Sequence, residues 1–205
     1  MRKLVLTSIV AVFALTISLA YAADEAAKKA AIGQAAPSFS LQDTSGKTIN
    51  LSDYSGKIVV LEWVNPECPF VQRHYNLKTM TSLADKNKDK GVVWLGIATG
   101  NTADAGKIKS FAEKNSVDHP ILLDPDGTVG MAYGAKKTPQ LFIIDKDGKL
   151  AYAGGIDNKE IGDPQAPLAD GTVNYVDKAL TELQNGQPVS QPETAAYGCT
   201  VKYKK

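Results

Sequence analysis

Two nearly unbroken apolar runs constrain this chain most: Ile58 to Val64, and Val92 to Ala98 behind Gly91. Both are valine-rich and too short for a buried helix, so they read as strands covered on both faces. Such strands need helices on either side of a sheet, and the chain supplies candidates. Pro69 to Lys86 reads as one helix with Phe70, Tyr75, Leu77, Met80 and Leu83 turned inward. Asp104 to Asn115 reads as a second, with Ile108, Phe111 and Ala112 on one face, and Val173 to Leu183 as a last one. Phe39 and Leu41 alternate with polar neighbours, and Ser45-Gly46 turns the chain toward Thr48, Ile49 and Leu51, the pattern of a hairpin. Pro120 to Leu123 and Pro139 to Ile144 are further strands, and Asp147-Gly148 folds the latter onto Leu150 to Ala153. The sum is an α/β chain with a mixed central sheet flanked by helices.

The first apolar run leads into Asn65-Pro66-Glu67-Cys68-Pro69. Pro69 suits the first helical position, where its missing N–H costs nothing. A helix start collects unpaired N–H groups and positive dipole charge, a setting that generally favours nucleophilic cysteines. The same place also accommodates an inert cysteine buried as a small hydrophobe. Glu62 is the one charged residue in the strand before it. It either turns to an edge or solvent, or is buried with a partner or a raised pKa.

Arg2 and Lys3 precede an uncharged apolar stretch, Leu4 to Ala20, which ends in Ala20-Tyr21-Ala22. This is the pattern of a secretory signal cut after Ala22, and the stretch is short for a membrane span. The expected organisation is a signal over 1–22, a flexible leader over 23–36, one domain over 37–186 and an extended tail over 187–205. Removing Arg2 and Lys3 turns the net charge from +1 to −1. That balance offers no attraction for nucleic acid or for a membrane surface once the signal is gone. In an exported, periplasmic or secreted protein, the two cysteines, Cys68 and Cys199, suggest a disulfide. It would close a loop of about 130 residues, worth roughly 4–5 kcal/mol in the chain-entropy picture. Val189, Tyr197, Val201 and Tyr203 make the tail too apolar for a solvated end, so it packs on the domain or on a second subunit of a homodimer. The connection from Ile156 to Gly171 is long enough to shape a site.

Gly33-x-x-Ala36-Pro37-x-Phe39-x-Leu41-x-Asp43-x-x-Gly46-Lys47, Leu51-x-Asp53-Tyr54-x-Gly56-Lys57 and the strand into Cys68-Pro69-Phe70 together resemble the redoxin branch of the thioredoxin superfamily, the peroxiredoxin-like AhpC/TSA type. The tail, with Pro188-Val189, Pro192-Glu193-Thr194 and Gly198-Cys199-Thr200, resembles exported members with a single helix-start cysteine. The resemblance implies a thioredoxin-like fold with an N-terminal β-hairpin and an extended tail. It implies that Cys68 attacks, that Glu62 relays the proton beneath it, and that Thr138-Pro139 is the cis-proline loop. Thr138, Pro139 and Pro69 would position substrate.

Departures from the pattern matter as much. Val71 stands where thioredoxins carry a second cysteine, which leaves Cys199 to resolve a mixed disulfide on Cys68. Asn65 and Leu61 replace residues that peroxiredoxins use before the cysteine, and no arginine follows Arg73. The resemblance therefore implies a thiol–disulfide oxidoreductase that works with a thiol or disulfide substrate and a thiol electron donor. A slow thiol peroxidase that passes through a sulfenic acid, and a non-catalytic scaffold with a structural disulfide, are the alternatives. His74 reads as a surface or packing residue pointing away from the helix start, and His119 as part of a turn. Trp63 and Trp94 read as strand core. Asp124, Asp126, Asp145 and Asp147 fit turn chemistry. No cofactor motif stands out and no metal site is expected.

Overall fold

The computed structural model describes residues 29–159 and 171–204. The expected signal, the start of the leader and most of the connection after Ile156 lie outside them. Seven strands form one mixed sheet in the order β2-β1-β5-β4-β3-β7-β8. They are β1 Ser40–Asp43, β2 Thr48–Asn50, β3 Ile58–Trp63, β4 Val92–Thr99, β5 Ile121–Asp124, β7 Gln140–Ile144 and β8 Leu150–Gly154. The apolar runs became the centre. β3 lies parallel to β4 and antiparallel to β7, and β4 lies parallel to β5. The two-residue strands β6 (Lys137–Thr138) and β9 (Cys199–Thr200) pair separately, antiparallel. This is the thioredoxin-like arrangement expected, with its N-terminal hairpin.

Strand side chains alternate between faces, and the core divides accordingly. Ile58, Val60 and Val64 share one cluster with Cys68, Tyr75, Ile108, Val176 and Leu180. Val59, Leu61 and Trp63 share the other with Leu95, Phe142, Val129 and Val201. The first face carries the helices α1 (Pro69–Asn76), α2 (Thr79–Lys88), α3 (Ala105–Lys114) and α5 (Tyr175–Gln184). The second is covered by the short α4 (Thr128–Tyr133) and by the start of the described chain.

Three expectations need correction. The single helix over Pro69–Lys86 is two helices, broken where Lys78 takes φ 57°, and Leu77 at the break is exposed rather than inward. The leader is no free segment from Ala30 onward. Ala30 N–H donates to the Ala132 carbonyl, Gly33 N–H to Leu150 and Ala36 N–H to Gly148, while Ala30 and Ile32 pack on the second core. Helix α4 had no apolar period long enough to announce it. It forms because the buried Asp124 carboxylate accepts from Val129 and Gly130 N–H at its start, a helix-capping role rather than only a turn.

Candidate active site

Asn65 builds the approach to α1. Its side-chain oxygen accepts from Glu67 N–H at 2.9 Å, and its carbonyl accepts from Cys68 N–H at 3.0 Å. Cys68 is then the N-cap of α1, with extended backbone (φ −79°, ψ 120°), and Pro69 opens the helix from an exposed position. The Cys68 carbonyl takes the first helical hydrogen bond, from Gln72 N–H. Its side chain is wholly buried, and its thiol donates to the Thr138 carbonyl at 3.1 Å. The Thr138-Pro139 peptide is cis, and both residues are buried.

Cys199 arrives from the opposite end of the sequence. In β9 it stands directly across from Thr138, whose carbonyl holds the Cys68 thiol. Both cysteines are free thiols here. The Cys199 thiol is pushed up to about 11, first by burial, then by its hydrogen bond to Cys68 and by the charge there; Lys202 and Lys137 pull the other way. A two-residue strand pair thus brings Cys199, 131 positions after Cys68 in sequence, opposite the residue whose carbonyl holds the Cys68 thiol.

Glu62 lies completely inside, on the strand face that carries Val60 and Val64 and packs against Cys68 and Tyr75. Its Oε2 accepts from Trp94 Nε1–H at 2.9 Å and from Tyr75 Oη–H at 3.1 Å, while Oε1 has no partner among the described residues. Burial raises its pKa to about 7 against the lowering effect of those two donors. The edge or solvent placement is thus excluded. Trp94 is core, as expected, and also a donor to the carboxylate, which apolar patterning could not reveal.

A third group was missed. Tyr197, two residues before Cys199, is buried against Phe70 and His74 of α1, with ring centroids at 5.9 and 6.1 Å. Its hydroxyl donates to Asp157 Oδ1 at 2.7 Å and sits 2.8 Å from His74 Nε2. One hydroxyl has one proton. With that proton on Asp157, His74 must carry its own on Nε2 and donate to Tyr197. His74 is accordingly buried and faces the tail, not the surface. Burial lowers its pKa to about 4, with Asp157 raising it and the Arg73 charge lowering it. Arg73 is buried too, and its Nε and Nη2 have no partner among the described residues. His119 packs on Trp94 at 6.1 Å between ring centroids.

Comparison with known proteins agrees with this geometry. The AhpC/TSA family model matches residues 32–153. A thiol-disulfide oxidoreductase ResA of Bacillus thuringiensis subsp. konkukian is 33% identical over 123 residues, covering 60% of this chain and 69% of the relative. A ResA of Geobacillus thermodenitrificans is 31% identical over 150 residues, covering 73% and 83%. Among solved structures, an uncharacterized conserved protein from Geobacillus kaustophilus superposes with a TM-score of 0.75 at 28% identity, covering 85% of this chain and 93% of its own. With a buried helix-start cysteine facing a cis-proline loop, and a family match over more than half its length, the chain belongs to the AhpC/TSA family, on the redoxin branch of the thioredoxin superfamily.

Proposed function

We propose that Cys68 and Cys199 carry the thiol–disulfide exchange of this oxidoreductase. As a thiolate, Cys68 attacks one sulfur of a substrate disulfide. A bond forms between them, and the second substrate sulfur leaves as a thiolate that takes up a proton. Cys199, deprotonated, then attacks Cys68 Sγ and expels the first substrate sulfur. Two electrons pass from the protein dithiol to the substrate, which becomes two thiols, and a Cys68–Cys199 disulfide remains. A thiol electron donor reduces it again. The observation that carries this reading is the placement of Cys199 opposite Thr138, whose carbonyl accepts from the Cys68 thiol at 3.1 Å.

Glu62 manages the proton. On the strand face that packs against Cys68, a buried carboxylate with a pKa near 7 can take and return the proton of that thiol. Thr138 and Pro139 present backbone to the exchanging sulfurs, and Pro69 borders them. Work outside the cytoplasm, in a periplasm or after secretion, fits the Arg2-to-Ala22 pattern and two cysteines that meet.

Insulin reduction with a dithiol donor tests the assignment. Cys68→Ser should fall to the uncatalysed rate, whereas Cys199→Ser should trap a mixed disulfide on Cys68 that mass spectrometry detects. Undiminished turnover in Cys68→Ser would sink the reading. For Glu62, the pH profile of Cys68 alkylation should differ between wild type and Glu62→Gln; identical profiles remove it from the mechanism.

A further inference from the structure

The tail does more than deliver Cys199. Tyr197 belongs to the core on one face of the sheet and Val201 to the core on the other. Between them Cys199 pairs with Thr138, whose carbonyl holds the Cys68 thiol, and Cys68 has no exposed surface. The domain is shaped for this path. A Cβ at Gly155 would lie 2.7 Å from the Ala195 carbonyl oxygen, and one at Gly130 would lie 2.8 Å from Tyr203 Oη. Gly154 likewise has no room beside Thr194, nor Gly100 beside the Lys202 carbonyl. At the far end the Tyr203 hydroxyl donates to the Ala135 carbonyl at 2.8 Å, and Asn101 N–H donates to Lys202.

We infer that residues 197–203 form a reversible strap: β9 fills the strand position beside Thr138 and seals Cys68, and the Tyr203 anchor sets how often the nucleophile opens to an external disulfide. This rests on the exchange role proposed for Cys68. The physical reason is a conflict of occupancy. Cys68 cannot reach a substrate sulfur while β9 covers it, yet Cys199 must return to the same place to resolve the adduct. A segment held by a two-residue ladder and two tyrosines can open locally at a small fraction of the cost of unfolding the sheet. Formation of the Cys68–Cys199 disulfide then closes the strap covalently, and reduction restores its ability to lift.

The test uses the full chain carrying Cys199→Ser, so that Cys68 is the only thiol. Its alkylation by iodoacetamide is compared with that of the same protein carrying Tyr203→Ala, Tyr203→Phe or Gly130→Ala. Opening by loss of the ring should accelerate alkylation roughly tenfold in Tyr203→Ala. Tyr203→Phe should stay near the parent. Gly130→Ala, which keeps a helical residue while intruding on the ring, should resemble Tyr203→Ala if that variant folds poorly. Hydrogen exchange at the amides of residues 199–201 should rise in step, while β3 and β4 remain protected. Alkylation unchanged in both opening variants would overturn the strap, as would alkylation of the parent at the rate of a free cysteine. Loss of insulin reduction in Cys68→Ser would persist in either case, so failure here is distinct from failure of the exchange role.

Discussion

The two cysteines sit side by side in settings made in opposite ways. Cys68 is placed by its immediate neighbours: a covered strand, an Asn65 turn and a proline that opens a helix. Cys199 has no such local frame. It is held by residues from β6, α1, the end of β8 and the glycines along the tail's route. In the exchange proposed above, a nucleophile seated by local rules stays in place, and a resolving thiol seated by distant contacts leaves and comes back.

The comparison can be strained hardest with pH. Glu62, on the Cys68 side, has its pKa raised from 4.5 to about 7 by burial. Its protonated form favours the fold, so stability is lost as pH rises from about 4.5 to 7, by roughly 3 kcal/mol if the shift is fully expressed. His74, on the strap side, has its pKa lowered from 6.5 to about 4, so stability is lost as pH falls across that range. His119, whose pKa burial also lowers from 6.5 to about 4, adds to the His74 slope, so in the wild type two groups favour the fold as pH rises and Glu62 alone opposes them. Glu62→Gln should steepen the climb of stability with pH up to about 6.5, whereas His74→Gln should flatten it, since only His119 then offsets Glu62. Urea titrations between pH 4 and 8 check both signs; parallel curves for the two variants would erase the distinction between the regions.

A smaller effect sharpens it. Tyr197→Phe keeps the ring against Phe70 and removes the hydroxyl shared by His74 and Asp157, leaving both buried groups short of a partner. The expected loss is about 2 kcal/mol in chemical denaturation. A loss no larger than that of an exposed hydrogen bond would mean that solvent already reaches this network.

Legibility in the sequence follows the same division. The central strands and the helix-start cysteine were readable because apolar runs and capping act over a few residues; the loop at Thr138-Pro139 came from the family resemblance alone. Helix α4 was not, since its start depends on Asp124 accepting amides from across a turn. Nor was the break at Lys78, which an amphipathic pattern passes straight over. Of the two readings of His74, surface or packing, the second holds, but rotation about a helix says which way a residue faces and not what another segment brings there. For Glu62 the residues left burial and an edge placement open and only the family resemblance put it beneath Cys68, while its clamps Tyr75 and Trp94 looked like ordinary core. Of the tail, its apolar residues announced that it packs; its route was recorded in Gly100, Gly130, Gly154 and Gly155, whose reason for lacking a side chain is visible only in three dimensions.

The bond between Trp94 and Glu62 gives the molecule its own optical gauge. An indole whose N–H points at a carboxylate emits differently when that group gains or loses charge, so fluorescence should change across neutral pH and become flat in Glu62→Gln. Trp63, on the other face of the sheet and hydrogen-bonded to the Thr99 hydroxyl at 3.0 Å, supplies a steady background within the same spectrum. The protonation of an interior acid can thus be followed by light, without a label.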